Sequence, residues 1–170
     1  AWKAKDTTKV FTFWGNKSNA LINQGKIEEA LRIKEAAAEG VRNMGYPQSA
    51  ARVLGLCIKW YAQQGEFDKA KVTMDEYENH SGYFLENGDA KPGKEGYYSI
   101  KGTYFLQKGE LDSAEHYFRK LQHCGTSRND RYLAAWGLTQ LYYDKMPLDS
   151  IGKYALQTLA HNDSLYNIGT

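Results

Sequence analysis

The chain has 170 residues, 22 Lys plus Arg against 20 Asp plus Glu, and a formal net charge of +2. That length reads as one domain, at most two small ones, and 42% hydrophobic with 25% charged residues is ordinary globular usage, which excludes wholesale disorder. The balanced charge removes the bulk electrostatic case for direct nucleic-acid binding. The longest apolar stretch, Val53-Leu54-Gly55-Leu56-Cys57-Ile58, falls far short of the roughly 20 residues of a membrane helix.

In chain order, residues 1–9 form an N-terminal extension, and Ala1-Trp2-Lys3-Ala4-Lys5 lacks the apolar centre of a signal peptide. A six-residue phrase then recurs: Gly25-Lys26-Ile27-Glu28-Glu29-Ala30, Gly65-Glu66-Phe67-Asp68-Lys69-Ala70 and Gly109-Glu110-Leu111-Asp112-Ser113-Ala114. A degraded fourth copy, Met146-Pro147-Leu148-Asp149-Ser150-Ile151, keeps the apolar residue and the acid. The Ala-equivalent positions 30, 70, 114 and 151 are spaced 40, 44 and 37 residues apart, so repeated units of this size fill residues 10–161. The units are placed at about 10–45, 46–82, 94–123 and 129–161, with 83–93 as an inserted loop and 162–170 as the start of a following segment.

Each phrase has a mechanical reading. Gly takes the left-handed conformation that ends one helix, the acid sits in the first turn of the next, and Ala lets two helix backbones approach closely. Asp112 and Glu115 have the spacing of a capping box, and Pro47 suits a first helical turn. Tyr98, Gly102 and Phe105 share one helical face, matched by Ala114, Phe118 and Leu121. Leu54, Ile58 and Tyr61 do the same before the second turn, with Ala70, Met74 and Tyr77 after it. No segment alternates with a period of two, so the chain reads as all-α.

On these residues the chain resembles the tetratricopeptide repeat family. The third unit carries the pattern through Tyr98, Gly102, Phe105, Gly109, Ala114 and Phe118. The first carries it through Trp14, Leu21, Gly25, Ala30 and Ala37, the second through Leu54, Tyr61, Gly65 and Ala70, and the fourth through Tyr142, Leu148 and Ala155. The family period is nearer about 34 residues. The proline that commonly ends a unit is absent after Leu121, and Lys17 and Lys101 stand at a normally apolar position.

The resemblance implies a right-handed α-α superhelix, a solenoid of about four helix-turn-helix units. The first helix of each unit would line a concave groove for a protein or peptide partner. By position, the groove residues are Asn19 and Asn23, then Arg52, Lys59 and Gln63, then Ser99, Thr103 and Gln107, and finally Trp136, Gln140 and Tyr143. Amides can bond an extended backbone and aromatics can anchor a side chain; the plainer reading makes these the solvated faces of surface helices. Leu56 and Gly96 stand where the subclass that clamps acidic C-terminal carboxylates places an Asn and a cation, so the resemblance does not extend to that clamp.

Two other readings stay open. Asn162-Asp163-Ser164-Leu165-Tyr166, after a repeat helix, is similar to the point where repeat domains of membrane-tethered bacterial regulators continue into a signalling output. This would make the chain a ligand-sensing input domain on the periplasmic side of the membrane; otherwise the expected compartment is cytoplasmic. In the third reading the open solenoid ends mediate self-association into a homo-oligomer.

No catalytic constellation is legible. Among His80, His116, His123 and His161, His116 and His123 lie about 10 Å apart along one helical face, too far to share an ion, and His123 beside Cys124 is the only Cys–His neighbour pair, whose side chains diverge on a helix. Cys57, within the apolar run, is expected in the core, and Cys124 at the surface. Acids are expected at helix starts and exposed faces. Without a glycine-rich phosphate loop or nucleophile elbow, the expectation is a non-enzyme with no metal or cofactor. The pair Tyr83-Phe84 either folds back over the helices or forms a contact surface, and Tyr142-Tyr143 is expected to divide between core and groove.

Overall fold

A computed structural model gives residues 4–143 together with 152, 156 and 158, with side chains described from Trp14 onward. The described residues are helical throughout their regular structure: α1 (Ala4–Asn23), α2 (Ile27–Asn43), α3 (Pro47–Gly55), α4 (Ile58–Gln63), α5 (Phe67–His80), α6 (Tyr97–Lys108), α7 (Leu111–Cys124) and α8 (Arg128–Tyr142). None is long and apolar enough to cross a membrane. The chain divides into two compact units, Ala1–Tyr61 with Asp68–Gly82, and Ala62–Phe67 with Tyr83–Thr170.

The recurring phrase does the same physical job at its three described copies. Gly25, Gly65 and Gly109 have φ of 75°, 78° and 82°, a region open to glycine at little steric cost. At the first and third copies the next N–H turns back to the carbonyl five residues earlier, Lys26 to Leu21 and Glu110 to Phe105, each at 2.9 Å. This closure satisfies the carbonyls that a helix end leaves free. The phrase alanines Ala30, Ala70 and Ala114 are fully buried, and Asp68 and Asp112 lie in first turns. Gly45, at φ 85°, repeats the device between α2 and α3, where Pro47 opens the next helix.

In the first unit α2 packs on α1 and α3. Ala38, Val41 and Ala50 form its core cluster, with Val53 and Leu54 against it. In the same unit is a partly exposed polar network: the Tyr61 hydroxyl donates to Glu35 at 2.5 Å, and Lys69 pairs with the same carboxylate at 2.5 Å while lying over the Tyr61 ring. Desolvation works against the charge on Glu35, but the bonds from Lys69 and Tyr61 outweigh it and hold the carboxyl below its usual value.

The apolar run Val53–Ile58 departs from one continuous helix. α3 stops at Gly55, the Cys57 N–H tightens onto the Leu54 carbonyl at 2.7 Å, and α4 restarts at Ile58. Gly55 lies flat against the Tyr77 ring of α5, so close that a Cβ there would meet the ring at 2.2 Å. The break turns Leu56 out to solvent at 57% exposure, while Cys57 on its other side is fully buried.

In the second unit α7 packs on α6 and α8. Phe118 is the wedge: a Cβ on Gly102 of α6 would lie 2.7 Å from its ring, and one on Gly137 of α8 only 2.2 Å. Phe118 is 1% exposed and clusters with Ala114, Leu138 and Leu141. Lys101, at a normally apolar repeat position, is accommodated by laying its ammonium 4.9 Å from the Tyr117 ring centre.

The expected capping box at Asp112 and Glu115 does not form. Glu110 occupies the N-cap without a side-chain bond, and Glu115 binds Arg119 at 2.6 Å. The reciprocal box lies instead at the start of α8, where Ser127 Oγ accepts from the Asp130 N–H and Asp130 Oδ2 from the Ser127 N–H, both at 3.0 Å. Asp130, 7% exposed, stands at a helix start as expected of the acids, whereas Glu95, 8% exposed in the turn before α6, is buried against that expectation.

The segment between α5 and α6 runs from Ser81 to Gly96, wider than the expected loop at 83–93. It is a short hairpin: Leu85 N–H bonds to Asp89 and Lys91 N–H to Tyr83, each at 2.8 Å. Phe84 folds back onto Tyr97, ring centres 5.0 Å apart. The tip is latched by a chain of bonds in which the Ala90 N–H donates to the Tyr98 hydroxyl, that hydroxyl donates to Asp89, and Lys120 of α7 pairs with the same carboxylate. The Lys120 bond, chief among these, holds the Asp89 carboxyl below its usual 3.8. A depressed acid contributes while it is ionised and stops contributing as pH falls through its folded value. The latch is therefore expected to hold at pH 4–7 and open only below the usual 3.8. The Ala90 amide position in NMR reports this, and Lys120→Met is expected to show the opened position already at pH 7.

Candidate functional site

The sequence-derived groove residues fare differently. Asn19 and Asn23 are exposed one turn apart on α1. Arg52 is half-buried, and its Nε donates to the Ser81 carbonyl at 2.8 Å. Lys59 is half-buried over the Trp60 ring at 4.7 Å, and burial pulls its pKa down. Gln63 and Gln107 are exposed helix-end amides.

Ser99 is a correction. It is only 9% exposed, and its hydroxyl donates to the Gly96 carbonyl at 2.7 Å, so it has little surface to present. Thr103 Oγ1 likewise donates to the Ser99 carbonyl at 2.8 Å. Serine and threonine inside helices turn to their own backbone in this way, which a positional carry-over cannot see.

The structure does bring Trp136, Gln140 and Tyr143 together at the C-terminal end of α8. The capping box fixes where α8 begins, and Ala134, Ala135, Gly137, Leu138 and Leu141 bury its inner face against Phe118 and its neighbours. Positions 136, 140 and 143 then recur on the outer face at helical spacing. Trp136 is 45% and Tyr143 71% exposed. Of the Tyr142-Tyr143 pair, Tyr142 is half-buried against the core cluster and accepts from Arg119 at 2.9 Å, while Tyr143 is exposed.

Chemistry elsewhere is muted. Cys57 is fully buried, and burial pushes its thiol up to about 12. Cys124 is exposed but also raised, through partial burial and the nearby Glu95. A reactive thiolate needs the opposite shift. Among the described residues no group of three His, Cys, Asp or Glu side chains is arranged to hold a metal ion.

No family model, curated protein or solved structure matches this chain.

One charged residue escaped the sequence reading. Lys34 is 6% exposed, on the α2 stripe of Ala30, Ala37 and Val41. The signal was a lysine at an apolar position of that stripe. The degraded fourth phrase, Met146–Ile151, and the family positions Leu148 and Ala155 lie outside the described residues.

Proposed function

We propose that the chain is a non-catalytic protein- or peptide-binding scaffold of the tetratricopeptide type, a solenoid of helix-turn-helix units. The stripe of Trp136, Gln140 and Tyr143 on α8 is the observation that carries this reading. Two large aromatics lie open to solvent, Trp136 on α8 and Tyr143 at its C-cap, flanking an amide that can bond both N–H and C=O of an extended backbone. Exposed aromatics on a preorganised element are the residues that dominate interface energetics when covered. The repeated turn, with its positive-φ glycine and buried alanine, supports the family reading. The partner is a protein or peptide that presents an apolar side chain beside free backbone groups.

The test is a crosslinking pull-down from native extract with the parent chain and a Trp136→Ala, Tyr143→Ala variant. Both changes lie on an exposed face and leave the inner face intact. A partner lost by at least tenfold from the folded variant is the expected result. Equal capture by both would overturn the assignment of the face.

A further inference from the structure

We propose that a pocket in the first unit, between α1, α2 and α3, binds a small aliphatic carboxylate, with Lys34 as its counter-charge. The pocket has a volume of about 100 Å³ and is lined by Trp14, Gly15, Ile33, Lys34, Ala37, Val53 and Leu56. Its walls are apolar but for one cation. Leu56, turned outward by the break after α3, is the most exposed of the lining residues at 57%.

Lys34 gives the pocket its chemistry. A lysine usually runs its stem along apolar surface and keeps its head in water, yet this residue is only 6% exposed. The side-chain atoms buried without a partner among the described residues are Ser18 Oγ and Glu95 Oε2, so the Lys34 ammonium keeps contact with solvent while its stem is covered; a cation beside apolar walls favours a carboxylate. The adjacent acid, Glu35, is engaged by Lys69 and by the Tyr61 hydroxyl, both at 2.5 Å. Among the described residues no carboxylate pairs with Lys34. A carboxylate entering past Leu56 would pair with this ammonium, and its alkyl part would rest on Trp14, Ile33 and Val53. A cavity of roughly 150 Å³ holds one benzene, so this pocket suits an acid of about four to six non-hydrogen atoms, the size of acetate to butyrate. The site is separate from the α8 face and stands or falls without it.

The experiment is an NMR titration of the whole chain with sodium propionate at constant ionic strength, compared with the neutral isostere propionamide. Saturable shifts of the Trp14 indole N–H and of the Ile33, Lys34 and Val53 amides are expected. Propionamide should bind at least tenfold more weakly, and Lys34→Met should lose propionate by a similar factor. Shifts that never saturate would overturn the proposal, as would equal binding of the amide or undiminished propionate binding by Lys34→Met. If that variant does not fold, the propionate–propionamide comparison on the parent chain decides alone.

Discussion

Phe118→Ala is expected to destabilise the second unit by about 3–5 kcal/mol, the range for truncating a fully buried phenylalanine. The upper half applies here because the site cannot collapse. Phe118 is 1% exposed and reaches the backbones of two other helices at Gly102 and Gly137. Glycines carry no side chain that could swing into the vacated space, so the cavity persists. Phe118→Leu should recover part of the loss. Urea unfolding followed by aromatic fluorescence measures both, and a loss below about 1 kcal/mol for Phe118→Ala would contradict the wedge.

Gly137→Ala is the second large effect, and its sign is the informative part. In an open helical position Gly→Ala gains up to about 1 kcal/mol. Gly40 of α2 has no atom within 4 Å of a new Cβ, so Gly40→Ala should stabilise. At Gly137 the new methyl would stand 2.2 Å from the Phe118 ring. Overpacking of this kind costs about 1–3 kcal/mol, and at such a distance it exceeds the helix gain. The penalty should shrink when Phe118→Leu is combined with Gly137→Ala, because the two residues share one space. Thermal unfolding of the two single variants and the pair reads this coupling directly.

The local devices were legible because each depends on a few adjacent residues. A glycine that must take positive φ, an alanine that must be small and a proline at a first turn declare themselves without a distant partner, and Gly25, Gly65, Gly109, Ala30 and Pro47 behave accordingly. Features set by contact at a distance were not legible. The break at Leu56–Cys57 accompanies the approach of Gly55 to Tyr77 on another helix. Asp112 and Glu115 have the right spacing for a box, but the helix begins two residues earlier than that box requires and Arg119 takes Glu115. Of the candidate face, Trp136, Gln140 and Tyr143 are exposed at the positions that the family resemblance assigned to a binding face. The inward turn of Ser99 was not legible, because it depends on where α6 begins. Lys34 was hidden for a related reason: a stripe position shows that a residue faces a neighbour, not whether that neighbour leaves a pocket.

The binding reading is tested most directly by selecting peptides from a random display library on the immobilised chain and mapping the selected peptides by NMR. The account predicts enriched sequences whose binding shifts the Trp136 indole N–H and the amides of Gln140 and Tyr143. It also predicts that Trp136→Ala, Tyr143→Ala weakens them at least tenfold with the helical circular-dichroism signal unchanged. Selected peptides that bind the variant as well as the parent, or a selection that enriches nothing, would contradict it.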